Sequence, residues 1–348
     1  MFIAFVRKEE SGLRKLVSIV FIGSLLGICL FLIVNTLNKR SDREIKDDNN
    51  KPYITITETV SSEGNNPETK SNCYEYDIDK KTLVKRGEVP YTAGYPLTLY
   101  SRSDKSILYI AYSGMGDQVF RKRGRNTSQI TKDFCAFNHM FICNGQVFMA
   151  AKFLKKYCIE PVLLDLNTNS IRKLLPDKND DTFTWSATCD PQNDTIVFSC
   201  YSDSEMRALL DVYSGDPENG EYPLNPKSTI YEYDLKEGKI RKIYETKDYL
   251  FGIGISGKNL YYSGAKSSLS NKDNTNLIHV SLSSGAVEKV DCPIHITGDM
   301  FIVENDLYCV GWFNNVRGCY KYDFIKREVE TVLLPEETSF INGISLSY

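Results

Sequence analysis

The sequence is poor in the residues that catalysis most often needs. It has three histidines in 348 residues; no CxxC pair or Cys/His cluster occurs, so a structural zinc site has no ligand set to draw on. No stretch has the spacing of a nucleophile elbow. GISG at 254 and GISL at 343 read instead as strands that need small residues at a crowded axis. An excess of charge of one sign is also missing: 42 basic against 45 acidic residues leave a net −3, which gives no electrostatic footprint for nucleic acid. The one dense basic run, RKRGR at 121–125, reads as a solvated outer strand and its turn. Beyond residue 40, periodic Ala-rich or Leu-rich stretches are scarce, which favours an all-β protein.

What the chain does have is aromatic and β-branched. Tyrosine (22) and phenylalanine (17) are abundant and Ile and Val recur in short runs, the composition of an all-β protein. Before this part, residues 16–37 (LVSIVFIGSLLGICLFLIVNTL) carry no charge and are long enough as a helix to cross about 30 Å of hydrocarbon. The apolar stretch is too long for a cleaved signal peptide, and no small-x-small site follows it. The expected layout is a short cytoplasmic head at 1–15, a transmembrane signal anchor at 16–37, a polar tether at 38–52, and the remainder outside the cell. Basic residues flank the segment on both sides, so orientation follows from the usual behaviour of an uncleaved anchor and not from charge.

A phrase repeats within the β-rich part. CYEYDIDKKTLVKR at 73–86 returns as TIYEYDLKEGKIRK at 229–242. In each copy an aromatic strand ends at an acidic residue, and six positions later an apolar residue begins the next strand. The marks fall at Asp77, Gly124, Asp165, Asp234, Ser281 and Asp323, 47, 41, 69, 47 and 42 residues apart. The long interval contains an insertion at 203–228. Four strand signals per unit of 40 to 50 residues is the pattern of propeller blades. The 25 residues after Asp323 and the 24 before Asp77 make up one repeat between them, so the fold class predicted is an all-β, six-bladed β-propeller at 53–348. Its composite closing blade takes its innermost strand from FINGISLSY at 340–348.

The phrase YEYDLKEGKIRKI with GISGKNLYYSG resembles the TolB-like six-bladed propellers, especially membrane-anchored bacterial domains related to low-density-lipoprotein-receptor-type propellers. The resemblance runs over about residues 53–348. The hallmark Tyr-Trp-Thr-Asp is replaced here by LYYSG at 260, LYIAY at 108 and LYCVG at 307. In propellers of this kind the outer-to-inner connections and the second-to-third strand loops share one face. That implies a ligand-binding surface formed by Tyr95, Phe134, Trp185, Tyr249, Phe251, Trp312, Asn314 and Asn315, rings beside amides that suit a glycan or a peptide.

The other functional candidates are weaker in kind. His295 and Asp299 are the acid/base pair that a propeller-type hydrolase or lyase would use. DKNDD at 177 has oxygen ligands for calcium but not the spacing of a dedicated loop, and reads as solvated. Nine cysteines lie beyond residue 40, and several sit in apolar strand runs as small hydrophobes. Cys309 and Cys319 are nearly opposite around FNNV and form a candidate disulfide. Free thiols would suit a cytoplasmic-facing domain equally well. No cofactor or metal is expected. The expected role is a membrane-anchored binding or scaffolding module at the cell envelope. The alternatives are an enzyme and a structural partner of another membrane protein.

Overall fold

A computed structural model describes residues 51–61, 69–175, 180–215, 223–267 and 275–348. The anchor expected at 16–37 lies outside the described residues, and among those described no helix is long and apolar enough to cross a membrane. Residues 52–348 form one compact unit.

The described residues form 24 strands. β1 (Tyr53–Ser61), β2 (Thr69–Asp77) and β3 (Thr82–Pro90) come first. β4 (Thr98–Ser101), β5 (Ser106–Tyr112), β6 (Asp117–Arg123) and β7 (Asn126–Gln129) make blade 1. β8 (Phe134–Cys143), β9 (Gln146–Phe153), β10 (Ile159–Asp165) and β11 (Ile171–Lys173) make blade 2. Blade 3 is β12 (Thr182–Asp190), β13 (Thr195–Ser202), β14 (Ser228–Asp234) and β15 (Ile240–Thr246), with the helix α1 (Asp203–Asp211) between its second and third strands. Blade 4 is β16 (Tyr249–Ser256), β17 (Asn259–Ala265), β18 (Asn276–Ser281) and β19 (Val287–Val290). Blade 5 is β20 (His295–Val303), β21 (Asp306–Phe313), β22 (Val316–Asp323) and β23 (Glu328–Leu333). The last strand, β24 (Ser339–Ser347), joins the first three in the order β24-β1-β2-β3 as blade 6. The predicted closure is therefore present: β24 pairs antiparallel with β1 from Tyr53 opposite Ser347 to Val60 opposite Ser339.

The repeated phrase has a physical cause. At the four third strands that end in aspartate the acidic side chain folds over the following turn. Asp165 Oδ1 accepts from the N–H of Asn167 (2.8 Å) and Thr168 (3.0 Å), and Asp323 Oδ1 from Ile325 and Lys326 (both 2.9 Å). Asp234 Oδ1 does the same for Lys236 and Glu237 (both 2.8 Å). Four residues after five of the six marks the backbone turns left-handed, at Lys81, Asn169, Gly238, Gly285 and Arg327, while in blade 1 the mark Gly124 is itself left-handed. Those built on aspartate are Asx turns that reverse the chain and satisfy their own N–H groups.

Apolar faces of adjacent blades are buried against one another. Leu99, Leu108 and Val119 of blade 1 pack on Phe134, Phe137 and Met140 of blade 2, and Val197 and Ile230 of blade 3 pack on Leu250, Ile253 and Leu260 of blade 4. Each such side chain contributes about 1.5–3 kcal/mol by leaving water. At the axis the inner strands need glycine, as predicted. A Cβ on Gly252 would lie 2.6 Å from Met300 Cγ and 2.7 Å from Gly298 O, and one on Gly343 would lie 2.6 Å from Asp299 Oδ2.

The candidate disulfide is not formed. Cys309 and Cys319 are both free, because the register pairs Cys309 with Tyr320 and Cys319 with Val310. A one-residue offset places the two thiols on opposite faces of the sheet, and they enter different core clusters.

Candidate functional site

Inner strands all begin at one end of the axis, here termed the upper face, where the outer-to-inner connections and second-to-third loops also lie. The short Asx turns line the lower face. Across the upper face a row of aromatic rings runs from blade 3 to blade 4. Trp185 on β12 meets Tyr249 on β16 with centroids 5.4 Å apart, and Tyr249 meets Phe251 edge-on at 5.3 Å. The row extends from Trp185 to Phe183 (6.2 Å) and on to Tyr201 (5.2 Å). All five are half-buried. Burial pushes the Tyr249 and Tyr201 hydroxyls well above their ordinary pKa.

Other predicted ligand contacts are distributed differently. Phe134 is wholly buried and packs on Phe137 (5.3 Å) and Phe153 (4.6 Å), so it belongs to the core and has no surface for a ligand. Its strand begins beneath the connection and not beside it. Trp312 is 39% exposed at the tip of β21. Asn314 and Asn315 form the two-residue turn that follows, both left-handed (φ 50° and 62°), which is the reason asparagine stands at both positions. Tyr95 donates its hydroxyl to Asn342 O at 2.7 Å.

The axis itself is crossed by a histidine–aspartate pair other than the one expected. Asp299 on β20 has His139 on β8, from the diametrically opposite blade, as its histidine partner: Nε2 lies 3.4 Å from Oδ1. The other oxygen accepts from Ile344 N–H at 3.0 Å. Burial pushes the Asp299 pKa up, against the lowering effects of His139, the Ile344 N–H and Arg317. His295, the expected partner, faces Thr275 Oγ1 at 3.0 Å from its Nδ1. An irregularity in β20 between Ile296 and Met300 separates it from Asp299. The histidine beside Asp299 is thus His139, and not His295.

The lower end of the axis is filled by the C-terminus. Tyr348 N–H donates to Ile142 O (3.2 Å), Ser347 Oγ accepts from Ile142 N–H (3.2 Å), and the Tyr348 hydroxyl donates to Asp194 (3.1 Å). The residues of the candidate calcium loop that the structure describes, Asp180 and Asp181, are spent on backbone and hydroxyl donors. Asp180 accepts from the N–H groups of Tyr157 (2.7 Å) and Cys158 (3.0 Å), and Asp181 from Ser202 and Ser204. Among the described residues no group of three or more potential metal ligands occurs.

No family model matches the chain, and no curated protein does. Solved structures of the same fold do match. A chain of the crystallised nidogen/laminin complex superimposes with a TM-score of 0.54 at 10% identity, over 86% of this chain and 99% of that one. TolB from Acinetobacter baumannii gives 0.54 at 13% identity, over 86% of this chain and 68% of its own. These likenesses establish the six-bladed propeller that the sequence pattern suggested.

Proposed function

We propose that the protein is a membrane-anchored, extracytoplasmic binding module that holds a peptide or glycan on its upper face. One observation carries this reading: the two faces are built on different rules. The lower turns are stereotyped by the Asx geometry, whereas the upper connections run from the two residues 314–315 to the insertion at 203–227 and gather the exposed or half-buried rings. Loops that vary on a rigid scaffold are where recognition is placed. A propeller chain occurring in a nidogen/laminin complex supports a protein partner by analogy of fold. The anchor at residues 16–37 rests on the apolar length of that segment.

Glycan and peptide arrays probed with the detergent-solubilised chain test the proposal. One class of ligand should give reproducible signal that falls by roughly tenfold in Trp185→Ala, with the thermal melt unchanged. Uniform absence of signal would contradict it. The His139–Asp299 pair favours one second reading, an acid/base enzyme, because a carboxyl whose pKa is raised by burial beside a histidine is the kind of group that acid/base chemistry uses. Turnover of an ester or glycoside panel that disappears in Asp299→Asn would establish that alternative.

A further inference from the structure

Arg317 stands on β22 directly opposite Trp312 of β21, a pairing that puts both side chains on one face of the sheet. Its Nη1 donates to Ile341 O at 2.9 Å, while Tyr95 Oη donates to the next carbonyl of the same strand, Asn342 O. The two side chains therefore lie side by side along β24. Phe340, one residue before that pair of carbonyls, is 46% exposed, Tyr95 is 40% exposed and Trp312 39%. Trp312 of blade 5 and Tyr95 of the connection before blade 1 thus flank Arg317, and the exposed Phe340 lies one residue before the carbonyl that Arg317 binds.

Arg317 has no ion-pair partner among the described residues. One of its five N–H donors is committed to Ile341 O, and the fork geometry of the others suits a carboxylate. The side chain is half-buried, and burial lowers its pKa against the opposing influence of Tyr95 and Asp299. A partly desolvated cation that is not held in a salt bridge gains from an anion placed against it. Asp299, close enough to influence Arg317, disfavours a dianion such as phosphate over a singly charged carboxylate. Rings at the rim add apolar area for the body that carries the charge.

We propose that Arg317, flanked by Tyr95 and Trp312, is the seat for a carboxylate group of the ligand. This rests on the binding-module reading and names the chemistry of its ligand. The test uses N-acetyl-phenylalanine, its neutral amide, and glucuronate as probes in ligand-observed saturation-transfer NMR with the full chain in detergent. The acid is expected to bind at least about tenfold more tightly than the amide. Arg317→Gln should abolish that difference, Arg317→Lys should retain part of it because the charge remains without the fork, and Trp312→Ala should weaken binding a few-fold.

Preference for glucuronate, still dependent on Arg317, would support the seat and identify a sugar acid as the source of the carboxylate. Equal binding of acid and amide, or full binding by a folded Arg317→Gln variant, would overturn the seat. If Arg317→Gln does not fold, the acid-to-amide ratio in the wild type and in Arg317→Lys decides. Array ligands that are neutral and unaffected by Arg317→Lys would remove the seat while leaving the binding module standing.

Discussion

Asp234 and its equivalents are not catalytic. Each holds the N–H groups of its turn, and the hydrogen bonds from Lys326 and Ile325 that hold down the pKa of Asp323 are the same contacts that fix the backbone. Replacing Asp234 with alanine should destabilise the domain by about 1–2 kcal/mol, as loss of a comparable side-chain cap does. Arg327 sits left-handed at φ 58°, a conformation that costs a residue with Cβ about 1–2 kcal/mol. Arg327→Gly should therefore be neutral to stabilising, by up to about 1 kcal/mol, in a denaturant titration. Asp299 behaves in the opposite electrostatic sense. Its folded-state pKa is raised, so its contribution is complete below the unfolded carboxylate value near about 4 and is lost as pH rises through the folded value. The melting temperature of Asp299→Asn relative to wild type should climb between pH 4 and 8; a difference that stays flat would mean that no buried charge is relieved.

What could be read at this scale was local. The Asx turns were legible because mark, turn and next strand lie within seven residues. His139 was not, because its partner is 160 positions away and the two meet only when opposite blades face across the axis. Arg317 was equally hidden, its importance resting on what surrounds it and not on neighbours in sequence.

At the scale of elements, β24 is the strand on which the rest depends. Ile341, Ile344 and Leu346 are buried in the largest core cluster, and the strand supplies the inner edge of blade 6. Removing residues 340–348 should cost several kcal/mol from side-chain burial alone, a large fraction of a typical domain's 5–15 kcal/mol, and expose the edge of β1. The truncated chain should lose its cooperative melt; an unchanged melt would refute closure by this strand. Two elements show the limits of pattern reading. The strand pair carrying Cys309 and Cys319 was correct but its register was one residue from the one assumed, and one residue is enough to reverse every side chain. The helix α1 went unread inside an insertion taken as polar loop, although Ser202-x-x-Glu205 marks its start and Ser202 Oγ accepts from Glu205 N–H at 3.1 Å.

For the whole molecule, direction follows from topology. Tyr53 pairs with Ser347, so the first strand of the propeller begins on the lower face beside the C-terminal strand's end, at the opposite end from the upper face. In the proposed topology, protease added to intact cells should degrade the propeller while the head at 1–15 survives. Protection of the propeller would reverse the orientation. The six-fold repeat and its closure were legible because they are written into spacing; the partner was not, because the loops that would recognise it share no pattern.

The account's central claim is that recognition belongs to the upper face alone. Its most direct measurement is the dissociation constant of the best array ligand for three forms of the chain: wild type, the upper-face variant Trp185→Ala with Arg317→Gln, and a lower-face variant with Lys105→Glu and Lys258→Glu. The account predicts a loss of at least about tenfold in the upper-face variant and no change in the lower-face one. Equal affinity in all three, or a loss confined to the lower-face variant, would contradict it.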